Sequence, residues 1–499
     1  MFPLFSKAAH APPHNSLPPL LHRIIALVLV TGAAILSVVP ARDAACEDSA
    51  HGPNIVFILA DDLGYGDVGC YGQQKIRTPN IDRLAAEGMR FTDFHAGGAV
   101  CIPSRACLLT GLHSGHTRQH GSNNHQPLEE SDLTVAEVLH HAGYTTACIG
   151  KWAFSDDHDG PGAVQKHGWD FYFGEPNQTT VHEYYLPRMW EFDRDGSISG
   201  KTPDTGLREV PIPENANGQR KVYSHDLLTA RALEVIDAKA GKGKPLFLYL
   251  PYTIPHANID PPDDAPYTRE NWPQVEKNYA AMITRMDTDI GKIMKRLHGV
   301  GQNTIVFFSS DNGPTNSKEG HQADFFHSAG PLRGKKASLY EGGIRVPMLV
   351  CWPGHVSPGV SHEPWAFCDF LPTAAELAAA RAPEKIDGVS FLPTLLGKPQ
   401  PPREVLYWET PSSCAVRMGD WKVIASNQGK NVELYHLRDD LGEQTDVADK
   451  HPEIVARARE FLKAAHSGDS AGPYEGKSAD QKREKKEKKE KKEKKRAKQ

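Results

Sequence analysis

From residue 52 onward the chain alternates short β-branched or aliphatic runs with longer stretches whose apolar positions recur at helical spacing. Ile55 to Ala60, Tyr144 to Ile149, Leu246 to Leu250 and Thr304 to Ser309 have the length and composition of buried strands. Between them, Tyr279, Met282, Ile283, Met286, Ile290, Ile293, Met294 and Leu297 mark one face of a helix running up to Gly299. Thr134-Val135-Ala136-Glu137 is a capping box, and Gly143 stops the helix it opens. Strands alternating with helices predict an α/β fold, a sheet covered by helices on both faces. From about Pro401 the texture changes to short alternating runs, Val405 to Trp408, Ala415 to Met418 and Trp421 to Ala425, followed by a helix from about Pro452 to Ala465. This predicts a main α/β domain over residues 52–400 and a small C-terminal α+β subdomain with an antiparallel sheet over residues 401–470.

Both ends of the chain read differently. The apolar run Ile24 to Val39, preceded by Lys7, His22 and Arg23, has the form of a secretory h-region within a signal peptide region 1–45. It is shorter than the roughly 20 residues needed to span a bilayer, so the expectation is an exported protein, periplasmic or secreted, with no stable membrane span in the mature chain. A retained signal-anchor and lipidation at Cys46 are the alternatives. Residues 477–499 hold 13 Lys/Arg against 5 Asp/Glu, so the net charge of −5 conceals a tail of +8 and a body of −13. A solvated tail, disordered or helical with Glu and Lys at i,i+3 spacing, is the plain reading; a polybasic contact with an anionic polymer is the functional one. An acidic body predicts no nucleic-acid partner. The 8 cysteines are irregularly spaced and include no CxxC pair, which argues against a disulfide scaffold and a zinc ribbon.

Chemistry gathers after the strands. Ile55 to Ala60 ends in Asp61-Asp62, and Thr304 to Ser309 leads through Ser310 into Asp311-Asn312. Tyr144 to Ile149 is followed by Gly150-Lys151-Trp152, and Leu246 to Leu250 by Tyr252-Thr253-Ile254-Pro255-His256. In a parallel sheet these ends share one edge, where such folds place ligands. A lone Asp-Asp after a strand is more often a helix cap. Two acidic pairs after two strands instead suggest an all-oxygen site for a hard cation, Ca²⁺ or Mg²⁺. In Cys101-Ile102-Pro103-Ser104-Arg105-Ala106-Cys107-Leu108-Leu109-Thr110-Gly111, Pro103 suits the first position of a helix running to Thr110, which sets residue 101 near an anion-stabilising N-terminus with Arg105 one turn on.

This last stretch resembles the C-x-P-S-R-x-x-L-x-T-G signature of type I, formylglycine-dependent sulfatases. Further motifs follow in family order: Asp61 to Asp67, Gly150-Lys151-Trp152, Tyr252 to His256, Ser310 to Gly313, Lys336 to Arg345, Asp369 to Thr373, Asp387-Gly388, Leu434-Tyr435 and Gly442-Glu443. The resemblance spans roughly residues 52 to 465 and is to arylsulfatase-like and bacterial polysaccharide sulfatases. It implies an alkaline-phosphatase-like fold, a large mixed β-sheet sandwiched by helices with a small C-terminal antiparallel sheet. It further implies one Ca²⁺ held by Asp61, Asp62, Asp311, Asn312 and an oxygen of residue 101, with Cys101 converted to 3-oxoalanine (formylglycine) by a formylglycine-generating or anaerobic sulfatase-maturating enzyme. By the same resemblance Arg105 and Lys151 bind the sulfate, while His256 and Lys336 serve the leaving oxygen; Lys336 is preferred to Lys335 for its spacing of four to Tyr340.

A sulfate monoester is a stable anion, so hydrolysis needs an in-line nucleophile, cations for the equatorial oxygens and an acid for the departing alcohol. A hydrated aldehyde at residue 101 supplies two hydroxyls, one to attack sulfur and one to expel sulfate. The family often has histidine two residues after the lysine, and Ala153 stands there in this chain. Asp311, a metal-bound water, His113 and His116 are the candidates to replace it, with Asp311 favoured because a carboxylate beside the diol needs no extra loop. The polar and aromatic segment Asn177 to Tyr185, with His113 and His116, resembles substrate-facing loops of sulfatases acting on sulfated galactose-type sugars, so Gln178, His182 and Tyr184 join His113 and His116 as expected substrate contacts. The expected function is release of sulfate from a sulfated carbohydrate. The alternatives are phosphonate or phosphate monoester hydrolysis on the same groups, or a catalytically silent binder of sulfated glycan.

Overall fold

The computed structural model describes residues 52–119, 126–155, 158–300, 303–466 and 473–474. The expected signal region 1–45, Cys46 and the tail 477–499 lie outside the described residues. In chain order the strands are β1 (Asn54–Ala60), β2 (Met89–Phe91), β3 (Phe94–His95), β4 (Thr145–Lys151), β5 (Phe171–Glu175), β6 (Arg188–Asp193), β7 (Asp204–Pro211), β8 (Leu246–Pro251), β9 (Thr304–Ser310), β10 (Met348–Cys351), β11 (Gly359–Ser361), β12 (Trp365–Ala366), β13 (Val405–Glu409), β14 (Ser413–Met418), β15 (Trp421–Ser426) and β16 (Asn431–His436). The helices are α1 (Pro79–Glu87), α2 (Cys101–Thr110), α3 (Val135–His141), α4 (Ser224–Lys239), α5 (Gln274–Gly299), α6 (Glu341–Ile344), α7 (Phe370–Leu377), α8 (Leu392–Leu395) and α9 (Pro452–Ala464).

The four buried runs read from the sequence are β1, β4, β8 and β9, all within two residues of their expected ends. They form the parallel centre of a ten-stranded mixed sheet ordered β11-β2-β10-β9-β1-β8-β4-β5-β6-β7. β10 reverses direction on one side and β6 on the other. Because strand side chains alternate, β1 feeds two cores. Val56 and Ile58 pack with α4 and α5 on one face; Ile55, Phe57 and Leu59 pack with α2, α3 and α7 on the other. Phe57 stacks on Phe307 at 5.8 Å between ring centroids and meets Phe370 edge-on at 4.6 Å. β7 was invisible to hydrophobic patterning because it is a polar edge strand, its residues half-buried or exposed.

The capping box is present at α3, where the Thr134 side chain accepts from Glu137 N–H. α2 begins at Cys101 itself, one half-turn earlier than the proline suggested, and ends at Gly111 in the left-handed conformation at φ 73°. The C-terminal sheet runs β13-β14-β15-β16, antiparallel throughout, with α9 on one face. Its other face packs Leu406, Trp408, Ala415 and Tyr435 against Ala99, Ile344 and Ala366. Among the described residues no helix is long and apolar enough to cross a membrane.

Candidate active site

β1 and β9 run parallel with Ala60 level with Ser310, so Asp61-Asp62 and Asp311-Asn312 leave the sheet side by side. Asp62 takes a left-handed turn at φ 64°, and its N–H donates to Asp311 Oδ1 at 3.1 Å. Asn312 Nδ2 donates to Asp62 Oδ1 at 2.7 Å. The N-terminus of α2 delivers Cys101, whose thiol donates to Asp61 Oδ1 at 3.4 Å. Arg105, one turn further, sets Nε 2.9 Å and Nη2 2.8 Å from Asp311 Oδ2. Lys151 closes β4 with Nζ 2.8 Å from Asp61 Oδ2. Lys336 Nζ lies 2.7 and 2.9 Å from the Asp62 oxygens and 3.3 Å from Cys101 Sγ, whereas Lys335 turns away to Asn316. His256, in the loop after β8, holds Nε2 3.5 Å from Asp62 Oδ2, while its Nδ1 donates to the Ala257 carbonyl at 2.5 Å.

Three carboxylates therefore face three cationic side chains, all but Lys336 fully buried. Burial would raise the Asp61 carboxyl, but Lys151, His256 and Arg105 hold it well below the ordinary range. Asp62 is lowered against the same burial, chiefly by Lys336. Asp311 is raised, by burial and by the charge of Asp61. The Cys101 thiol is pushed up to about 12 by burial and by Asp311, so an unmodified cysteine there is protonated at neutral pH and a poor nucleophile.

A divalent cation fits this set. Asp61, Asp62 and Asp311 offer hard oxygens, and Asn312 Oδ1 is a buried acceptor without a hydrogen-bond partner in the protein. A bound dication would turn a balanced cluster into one with surplus positive charge, suited to an anionic ester.

The residues assigned to substrate loops divide. His182 belongs to the centre: its Nε2 is 3.0 Å from Lys151 Nζ and 3.4 Å from Asp61 Oδ2, and its ring stacks on His256 at 3.6 Å. Burial and Lys151 lower its pKa to about 3, so it is a neutral ring accepting from Lys151. Tyr184 is instead a buried prop, its hydroxyl donating to the carbonyls of Thr253 and His256 at 2.9 and 2.8 Å. Gln178 is half-buried, with Oε1 shielded from solvent. His113 and His116 are a correction to the expectation. They follow the C-terminus of α2, whose ten residues carry the chain about 15 Å from Cys101. There His116 Nδ1 meets the Asp387 oxygens at 2.8 and 2.9 Å, and both histidines line a cavity of about 580 Å³ beside Tyr407 and Arg403. They are too remote to take a proton from residue 101.

Comparison with known proteins yields consistent matches. The family described as Sulfatase matches residues 53–380, and the one described as N-sulphoglucosamine sulphohydrolase, C-terminal, matches residues 334–466. Arylsulfatase A of Bos taurus is 33% identical over 463 residues, covering 83% of this chain and 87% of its own. N-acetylgalactosamine-6-sulfatase of Rattus norvegicus is 33% identical over 402 residues, 74% of this chain and 71% of its own. Among solved structures, Ps i-CgsB in complex with k-i-k-neocarrahexaose superposes with a TM-score of 0.69 at 28% identity, covering 86% of this chain and 95% of that one. A protein described with the metabolism of multiple glycosaminoglycans by Bacteroides thetaiotaomicron gives the same TM-score and identity over 83% and 99%.

Proposed function

Since the chain belongs to the sulfatase family and is a sulfuric ester hydrolase, we propose that it releases inorganic sulfate from a sulfated carbohydrate outside the cytoplasm, using formylglycine at residue 101 and one calcium ion. The observation that carries this reading is the position of residue 101, at a helix N-terminus between Asp61 Oδ1 and Lys336 Nζ, inside a buried and charge-balanced cluster. Asp61, Asp62, Asp311 and Asn312 would hold the calcium, which when bound offsets charge on the sulfate oxygens. The formylglycine hydrate would supply the attacking hydroxyl that a protonated Cys101 cannot.

Arg105 and Lys151 present their N–H groups to the sulfate from rigid elements, a helix and a strand end, so little reorganisation is needed on binding. Asp311 fixes the guanidinium plane of Arg105, and the neutral His182 ring holds Lys151 from beside Asp61. His256 anchors Nδ1–H on the Ala257 carbonyl, which leaves Nε2 as the atom that gives a proton to the leaving alcohol. Lys336, beside both Asp62 and residue 101, stabilises the negative charge on that same oxygen. With Ala153 in the place of the family histidine, Asp311 is the group we favour to take the proton of the second hydroxyl at residue 101. Galactose-type sugars are the favoured class, supported by a solved relative that holds k-i-k-neocarrahexaose and a curated one named for N-acetylgalactosamine 6-sulfate chemistry.

The test is sulfate release from desalted sulfated mono- and oligosaccharides, run beside aryl sulfate and aryl phosphate, with mass spectrometry of the residue 101 peptide. Sulfate release with a peptide about 18 Da lighter than cysteine is expected from thiol-to-aldehyde chemistry, distinct from the sulfenic-to-sulfonic ladder. Full activity with free Cys101, full activity after chelation, or preference for the phosphate ester would overturn the respective part of the reading.

A further inference from the structure

Lys336 reaches the centre from a loop whose two ends are tied to the C-terminal sheet rather than to the main sheet. Its own backbone is pinned from the catalytic side: Lys336 N–H donates to the Pro314 carbonyl and Ala337 N–H to the Ala99 carbonyl, each at 2.8 Å. Upstream, Arg333 Nη1 donates to the Glu443 carbonyl at 2.7 Å and to the Tyr435 hydroxyl at 3.1 Å. Downstream, the Tyr340 hydroxyl donates to Glu433 Oε2 at 2.8 Å and Glu341 N–H to Glu443 Oε2 at 2.7 Å. Arg333 joins the two ends. Its guanidinium lies 3.9 Å over the Tyr340 ring, and its carbonyl accepts Gly342 N–H at 2.7 Å. The loop is thus closed on itself through one side chain, and that side chain is docked on β16 and the turn after it.

Resting on the role proposed above for Lys336, we infer that Arg333 is a positioning residue that lets the C-terminal sheet set the place of the Lys336 ammonium against Asp62 and residue 101. Nη1 alone gives both bonds, while the flat face of the same guanidinium covers the Tyr340 ring. A lysine would keep the charge and lose the flat face. Releasing the clamp leaves the Pro314 and Ala99 bonds in place, so the loop persists but its register against the leaving oxygen loosens, a displacement to which catalysis is sensitive.

Five proteins test this: wild type, Arg333→Ala, Arg333→Lys, Lys336→Ala and the Arg333→Ala/Lys336→Ala double variant, each assayed on a series of aryl sulfates of rising leaving-group pKa and on an alkyl sugar sulfate. Arg333→Ala is expected to lower kcat/KM on the alkyl ester by about 10-fold to 10²-fold, to spare the best aryl leaving groups, and to steepen the dependence on leaving-group pKa as Lys336→Ala does. A residue acting through Lys336 adds nothing once Lys336 is gone, so the double variant should match Lys336→Ala alone. Arg333→Lys should recover only a minor part of the loss. Losses that multiply in the double variant, or an equal loss on every ester, would show that Arg333 touches substrate itself or supports the fold generally, and either overturns the inference. If Lys336→Ala slows hydrolysis and Arg333→Ala does not, the inference alone fails. If Lys336→Ala has no effect, the catalytic reading of Lys336 fails first and takes this inference with it.

Discussion

Two buried charge clusters lie within one chain and do opposite things. At the strand edge, Asp61, Asp62 and Asp311 face Arg105, Lys151 and Lys336. At the seam with the C-terminal sheet, Glu341, Glu443 and Asp93 face Lys422, Arg345 and Arg417. Both balance three anions with three cations out of water, where an isolated charge is costly. In the seam every carboxylate is paired with a cation of the protein. Lys422 Nζ bridges Glu341 and Glu443 at 2.7 and 2.8 Å, Arg345 Nε takes the other Glu341 oxygen at 2.6 Å, and Arg417 grips Asp93 with both terminal nitrogens. At the strand edge Asn312 Oδ1 and Arg105 Nη1 have no hydrogen-bond partner, while Lys336 and His256 remain partly exposed. The same ingredients make a fastener when the pairs are closed off from solvent and a reactive centre when side chains are left facing a guest.

That contrast can be broken most forcefully at Asp311. Asp311→Ala should lower sulfate release by at least about 10³-fold, a far greater effect than its lowering of the thermal midpoint, since Arg105 keeps Asp61 at 3.5 Å; a collapse of Tm with proportionate activity loss would erase the distinction. The converse change is Lys422→Met, which takes from Glu443 the cation it shares with Glu341 and leaves Glu341 to Arg345. A loss of roughly 3–5 kcal/mol in unfolding free energy is expected from urea titration, with the folded fraction retaining its preference among esters. A smaller and more selective effect is expected from His256→Ala: about 10²-fold on alkyl sugar sulfates and far less on aryl esters, which do not need a proton on the leaving oxygen. Equal losses on both would make His256 a sulfate ligand.

Asp287 sharpens the comparison from a third position. This buried carboxylate accepts the N–H groups of Asn80 and Ile81 at the start of α1 and the Asn80 side chain, with no cation beside it. Burial raises its pKa to about 6, whereas Asp61 and Glu341, each facing more than one cationic side chain, are held low despite burial. A raised folded-state pKa means stability that is complete below the ordinary value of 3.8 and lost as pH rises through about 6. Asp287→Asn should therefore flatten the change in Tm between pH 4 and pH 7; an unchanged pH profile would indicate that hydrogen bonds alone compensate the charge.

The parallel centre of the fold was legible because strands buried on both faces are written as continuous apolar runs, and the reactive edge because carboxylates, a lysine and a histidine follow those runs directly. Polar β7 and the half-buried β16 carry no such pattern. His182 was read as a loop residue for substrate, since its approach to Lys151 depends on a short turn held by Asn258 Nδ2 on the His182 carbonyl, 76 residues away in sequence. His113 and His116 were misassigned for the reverse reason: nearness to Cys101 in sequence is undone by the straight run of α2. The seam was unreadable because its charges are scattered from Asp93 to Glu443 and look, one at a time, like ordinary surface residues.

Cys101 and Lys336, which touch at 3.3 Å, are separated by 235 residues of chain. Synthesis at about 5–20 residues per second therefore exposes the thiol for roughly 10 to 50 s before its cover exists. In the finished protein that cysteine is 4% exposed. An enzyme acting on this side chain would meet it most readily before the Lys336 loop closes over it, so the timing of folding sets how long the thiol stays within reach.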